Sequence, residues 1–227
     1  MGGVAMFGRA LAFLVGAGLV VFALAHAVDP FHQTREYRHQ VACEKSVGSC
    51  FVEETVTIIE KDASATTSTN VNSDGTTSTT TTNHLTIRWM RDGTQHSHDV
   101  NGELFAKARE GGQATLRTWQ GQVVGVVIDG QSDSYNPRQT GRLGWWLWLA
   151  FVGVGLALVG IFEPVGVFMG AFRLGAWAFA GAVPLGVFVP TLLANGVEPN
   201  FGFFVLAGVT VLFAGAGMAM LVTSLRD

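Results

Sequence analysis

The sequence predicts a membrane protein with a four-helix α-helical transmembrane region. A small, mainly antiparallel β domain, barrel-like and with one short helix, is inserted between helices 1 and 2 on the extracytoplasmic side. Three observations predict this. First, uncharged intervals of 19, 20, 24 and 27 positions lie between Arg9 and Asp29, Arg142 and Glu163, Arg173 and Glu198, and Glu198 and Arg226. Roughly 20 mainly apolar residues cross a bilayer. Second, residues 29–141 hold ten Lys or Arg and fourteen Asp or Glu, in short β-branched runs separated by turn signals. Third, the only two cysteines, Cys43 and Cys50, fall in that stretch.

The expected organisation follows. Residues 1–28 form an N-terminal transmembrane helix or a signal peptide, and 29–142 form the extracytoplasmic β domain with a disordered Ser/Thr-rich loop at 63–82. Residues 143–227 form a three-helix transmembrane region with spans at about 143–162, 174–194 and 201–224. In the first segment, Ala25-His26-Ala27 has the small-x-small form of a signal peptidase site. The apolar run before it is longer than a usual signal core, and Ala12 and Gly16 have the spacing of close helix contact, so a retained anchor is favoured. Lys and Arg accumulate on cytoplasmic loops. Arg9, Arg173 and Arg226, against a 195–200 link with no basic residue, place both termini inside and residues 29–142 outside a bacterial plasma membrane.

In an oxidising compartment, Cys43 and Cys50 read as a disulfide rather than two thiols. "FVEETVTIIEKD" then reads as a strand at 51–61, followed by about twenty Ser, Thr, Asn and Gly residues with almost nothing to bury. "HLTIRWM" resumes order, and Asp92-Gly93 predicts a hairpin turn. Asn101 caps a short helix whose Leu104, Phe105 and Ala108 form one apolar face, ended by Gly111-Gly112. Turns at Gln120-Gly121 and Asp129-Gly130 divide the remaining strands, which extend to Tyr135.

Few residues suggest chemistry. His96 and His98 alternate along a strand and share a face. With His84 on the neighbouring strand they are the candidate metal ligands, although solvent-facing polar residues explain them more simply. Asp99 and Glu103 form a candidate carboxylate pair that capping or surface exposure explains as well. There is no nucleophile elbow, P-loop, dinucleotide fingerprint or His-Glu-x-x-His helix, so the sequence predicts no enzyme and no cofactor. The mildly acidic middle domain excludes nucleic acid as a partner.

The spans carry no ionisable residue apart from His26 at one end, which argues against ion-coupled transport. Trp145, Trp146, Trp148 and Trp177 read as interface anchors, and Gly153, Gly155, Gly160, Gly208, Gly215 and Gly217 as close-contact positions. Pro184 and Pro190 predict a kinked third span, and Glu163-Pro164 a helix stop.

"VTIIEKD", "EGGQATLRTWQGQVVGVV" and "YNP", in this order between the spans, resemble a set of uncharacterised bacterial, actinobacterial-type multi-pass membrane proteins with an extracytoplasmic β domain. The resemblance implies no catalytic residues. It agrees with the 3 Lys against 11 Arg, the mark of a GC-rich genome. The expected function is a non-enzymatic membrane protein whose exported domain binds or senses an envelope partner or ligand. A subunit of a transporter or channel comes second, and a metal-dependent envelope enzyme third. The lipid bilayer is the first expected partner, with other membrane or envelope proteins, or a second copy of the chain, beyond it.

Overall fold

The computed structural model describes residues 2–48, 50–71, 76–91, 93–162, 167–197 and 201–224. The chain forms two compact units, one of Met1–Gly48 with Asn136–Asp227 and the other of Ser49–Tyr135.

Helix α1 (Gly2–Val47) opens the first unit and does not stop at residue 28, where the sequence places the start of the exported domain. Pro30 removes one amide donor but leaves the chain helical. The Gln, Arg, Glu and Lys residues after it favour helix, and Gly48, at φ +81°, ends it by donating to the Glu44 carbonyl at 2.9 Å. Gly16, Ala23, Ala27, Pro30, Thr34 and Tyr37 make one buried stripe at three-, four- and seven-residue spacing. Ala25-His26-Ala27 lies within this continuous helix.

That stripe packs on α3 (Arg138–Phe162). The contact is possible because both sides are small: a Cβ on Gly153 would lie 2.9 Å from the Gly16 carbonyl oxygen, and one on Gly160 2.7 Å from the Phe13 nitrogen. Arg9 donates to the last carbonyls of α3, reaching Ile161 at 2.6 Å and Gly160 at 3.3 Å. A cation there also complements the negative end of the helix dipole.

The third apolar segment is α4 (Val167–Val183), a π-helical turn (Pro184–Phe188) and α5 (Val189–Asn195) in succession. The π turn falls where Pro184 is expected to disturb the helix. Its Gly186 carbonyl lies so close to Gly144 of α3 that Gly144 has no room for a side chain. Trp148 donates to the Ala178 carbonyl at 2.9 Å and Trp177 to the Phe151 carbonyl at 2.8 Å. These two indoles are therefore interhelical hydrogen-bond donors. Helix α6 (Phe201–Ser224) packs on α4 through Gly217 against Ala176 and Ala180, and through a Phe179–Phe213 stack at 4.7 Å. Gly208 and Gly215 have open space around them instead. Among the described residues four helical segments are long and apolar enough to cross a membrane: Phe7–Val47, Arg138–Ile161, Met169–Asn195 and Gly202–Met220. Glu163-Pro164 and Arg226 lie outside the described residues.

The second unit is a six-stranded antiparallel sheet in the order β3-β2-β1-β4-β5-β6. Its strands are β1 (Val52–Val71), β2 (Thr77–Arg91), β3 (Thr94–Asp99), β4 (Gln113–Trp119), β5 (Gln122–Ile128) and β6 (Gln131–Ser134). Strand β1 changes partner midway: Val52–Thr57 pair with β4, and Ile58–Val71 pair with β2 across a register shift between Ile58 and Glu60. The sheet is open and does not close into the barrel anticipated from its short hairpins. One face carries the core of Val56, Ile58, Ile87, Trp89, Leu116 and Val126, covered by Leu104 and Ala108 at α2 (Gly102–Lys107). Asn101 caps α2, its side chain accepting from the Leu104 amide at 2.8 Å as the sequence predicts. Both predicted two-residue turns also form, with positive φ at Gln120, Gly121, Asp129 and Gly130, as a type I′ hairpin requires.

The expected disordered loop 63–82 is instead two strands of one ribbon. Ala63–Val71 pair residue by residue with Leu85–Thr77, and residues 72–75 lie outside the described residues. Threonine favours extended backbone, and the ladder pairs the inward-facing half of the main chain although every side chain from Asp62 to Val71 and from Thr76 to His84 is exposed. The β2–β3 turn is expected at Asp92-Gly93; Asp92 is outside the described residues, and Gly93 has φ +71°.

Candidate functional site

Register decides where the three histidines go. His96 pairs with Trp89 and His98 with Ile87, so both stand on the core-bearing face of the sheet at its β3 edge. His84 shares a face with Thr86 and Arg88, the opposite one. The candidate metal trio is therefore split across the sheet. Among the described residues no group of three or more His, Cys, Asp or Glu is placed to hold a metal ion.

What the fold does assemble is a seam between the two edge strands. The His98 ring on β3 lies 3.8 Å from the Tyr135 ring that follows β6, tilted by 56°. Beside it, the Asn101 amide donates to the Asp133 carboxylate at 2.9 Å. Tyr135 is held in place by its own amide, which donates to the Val124 carbonyl at 2.8 Å. On the outer face, Thr86 donates to Asp99 at 2.7 Å, and His84 Nδ1 approaches the same carboxylate at 3.7 Å. Glu103, the other half of the predicted carboxylate pair, lies in the first turn of α2.

The electrostatics follow from this placement. Burial pushes the His98 imidazole below its usual range, with the Asp99 and Asp133 carboxylates pulling the other way. Burial, then the nearby Asp133 charge, raises the Tyr135 phenol, which stays protonated. The Thr86 hydroxyl holds the Asp99 carboxyl below the usual carboxylate range. The fold thus brings a neutral imidazole, a neutral phenol and the Asp133 carboxylate together beside two strand edges, with the Asp99 carboxylate on the outer face. The sequence marks Asp133 and Tyr135 only as alternate positions of a final strand; nothing local tells that this strand returns to β3.

Cys43 and Cys50 are disulfide-bonded, as the sequence predicts. The bond closes the short loop after α1. Comparison of the chain with protein-family models, with curated proteins and with solved structures finds no match.

Proposed function

We propose that the chain is a four-span bacterial plasma-membrane protein that displays its β unit outside the cell to bind an envelope partner. In this reading both termini are cytoplasmic and α1 is a retained anchor. The observation that carries it is the division of labour between the units. The helical unit leaves Phe7, Leu14, Val21, Phe204, Val211 and Leu212 exposed, as a lipid-facing surface would. The β unit has its own core and an edge seam suited to recognition. The Gly16–Gly153 contact supports retention of α1, because cleavage after Ala25 or Ala27 would remove the small residues that α3 packs against.

Cross-linking in native membranes tests this. A partner captured by the wild type and lost in Tyr135→Ala, with the β fold intact by circular dichroism, would support recognition at the seam. Capture unaffected by Tyr135→Ala and by Asp133→Asn would sink it. A second reading, a transporter or channel subunit, draws on the π turn at Pro184–Phe188, since such turns often sit at functional sites. Solute flux in proteoliposomes, abolished by Gly186→Leu, would favour it over the first.

A further inference from the structure

The ribbon of β1 and β2 is the part of the molecule that neither the core nor the seam uses. Thr66, Thr67 and Thr69 face Thr82, Thr81 and Thr79 across the ladder, and their side chains are exposed on both faces. Ala63–Val71 and Thr77–Leu85 contain no Lys, Arg, Asp, Glu, Pro or Gly. The outer edge of β1 loses its β4 partner after Thr57, and among the described residues the main-chain bonds beyond it are those of Ile58 with Gly111 and Gly112. The outer edge of β2 pairs with β3 only from Thr86 onward, with one further bond from Val100 to Leu85. Proteins ordinarily guard such edges with charge, proline or a bulge, because a bare uncharged edge templates pairing with another chain. This ribbon has none of those guards. What it has at eleven of these eighteen positions is a hydroxyl.

We propose that these hydroxyls are acceptors for O-linked sugar, attached by an envelope glycosyltransferase using a polyprenyl-phosphate-linked hexose. The proposal rests on the reading that the β unit is exported. A threonine Oγ1 attacks the anomeric carbon of the donor, forming the glycosidic C–O bond. The bond from that carbon to the phosphate oxygen breaks, the polyprenyl phosphate leaves with the electron pair, and the hydroxyl proton passes to a base of the transferase. The extended, solvated backbone presents each acceptor without local unfolding. Sugars along both strands then crowd the space a further strand would need, supplying the edge guard that the sequence lacks. N-linked sugar is excluded on simpler grounds, because the chain has no Asn-x-Ser/Thr sequon.

The test is the intact mass of the protein extracted from its native membranes, with fragmentation to locate any increment. Two companions are measured in parallel: a variant in which a two-residue turn replaces 63–82, and Thr67→Cys probed on whole cells with a membrane-impermeant maleimide. Hexose increments that map to the ribbon and vanish in the shortened variant support the proposal. An unmodified wild-type mass, with the Thr67→Cys variant labelled by the maleimide, overturns the glycosylation while leaving the exported topology standing. An unmodified mass with that variant unlabelled overturns both. Increments mapping only outside the ribbon overturn the assignment to these threonines.

Discussion

The two halves of β1 are one continuous strand with different partners, and they are held by different forces. From Val52 to Thr57 the strand pairs with β4, and alternate residues Val56 and Ile58 are buried beneath α2 with Trp89 and Leu116. From Ala63 to Val71 it pairs only with β2, and no side chain is buried. An isolated two-stranded ribbon is marginal in water, whereas three or more strands over a hydrophobic face are independently stable. The contrast teaches that a strand is not a unit of stability. In the first half the ladder is fixed by what its side chains exclude from water; in the second it rests on main-chain hydrogen bonds and the extended preference of threonine.

The comparison is broken most severely from the core. Trp89→Ala is expected to destabilise the β unit by about 3–5 kcal/mol through lost burial and the cavity left behind. Denaturant unfolding followed by circular dichroism measures it; a loss under about 1 kcal/mol would mean the core does not hold the sheet. Next, Cys43→Ser with Cys50→Ser should cost about 2 kcal/mol, since the bridge closes only a short loop in the unfolded chain. The same unfolding experiment, run beside a reduced wild-type sample, checks it.

A smaller effect appears on acidification. The His98 pKa is lowered in the folded state, so the imidazole contributes stability that is complete above its ordinary 6.5 and is lost as pH falls from there toward the folded value. The Asp99 pKa is also lowered, and its contribution is lost only below the carboxylate range, a separate window. Tyr135 packs on His98 across the seam, and the nearby charges of Asp99, next on the same strand, and Asp133, on β6, act on it. Thermal midpoints of the wild type should therefore decline below pH 6.5, and those of His98→Phe should stay level until the carboxylates titrate. Parallel profiles for the two proteins would remove His98 as the cause. Smallest of all, replacing 63–82 with a two-residue turn should alter core stability by less than about 0.5 kcal/mol, as for surface changes generally. Hydrogen exchange should show ribbon amides exchanging far faster than those of Leu116 and Val126; equal protection would erase the distinction between the halves.

What is legible in the sequence is local. Charge-free intervals mark the middles of the four apolar helices, although Arg173, expected in a loop, lies inside the third. Gln120-Gly121 and Asp129-Gly130 mark hairpins, and Asn101 marks the start of α2, because each signal acts within a few residues. The continuation of α1 beyond Pro30 is hidden because a proline and a change of polarity look like an ending. The stripe from Ala23 through Thr34 to Tyr37 shows the helix packing straight through that change. The ribbon is hidden because a composition with nothing to bury gives no periodicity, and cross-strand pairing leaves none to read. The seam is out of reach for a different reason: His98 and Tyr135 meet only after the strands between β3 and β6 have set the curl of the sheet, and single-sequence patterning carries no information on that path.

The bond from Arg9 to the end of α3 has a consequence for how the chain is made. Its acceptors, Gly160 and Ile161, leave the ribosome long after Arg9 does. At synthesis rates of roughly 5–20 residues per second, the wait is on the order of ten to thirty seconds. Throughout it the glycine-notched side of α1 has no partner of its own chain, while the whole β unit is synthesised. The first helix is thus made long before it is part of a bundle, and its Gly16 notch stays open until α3 arrives to fill it.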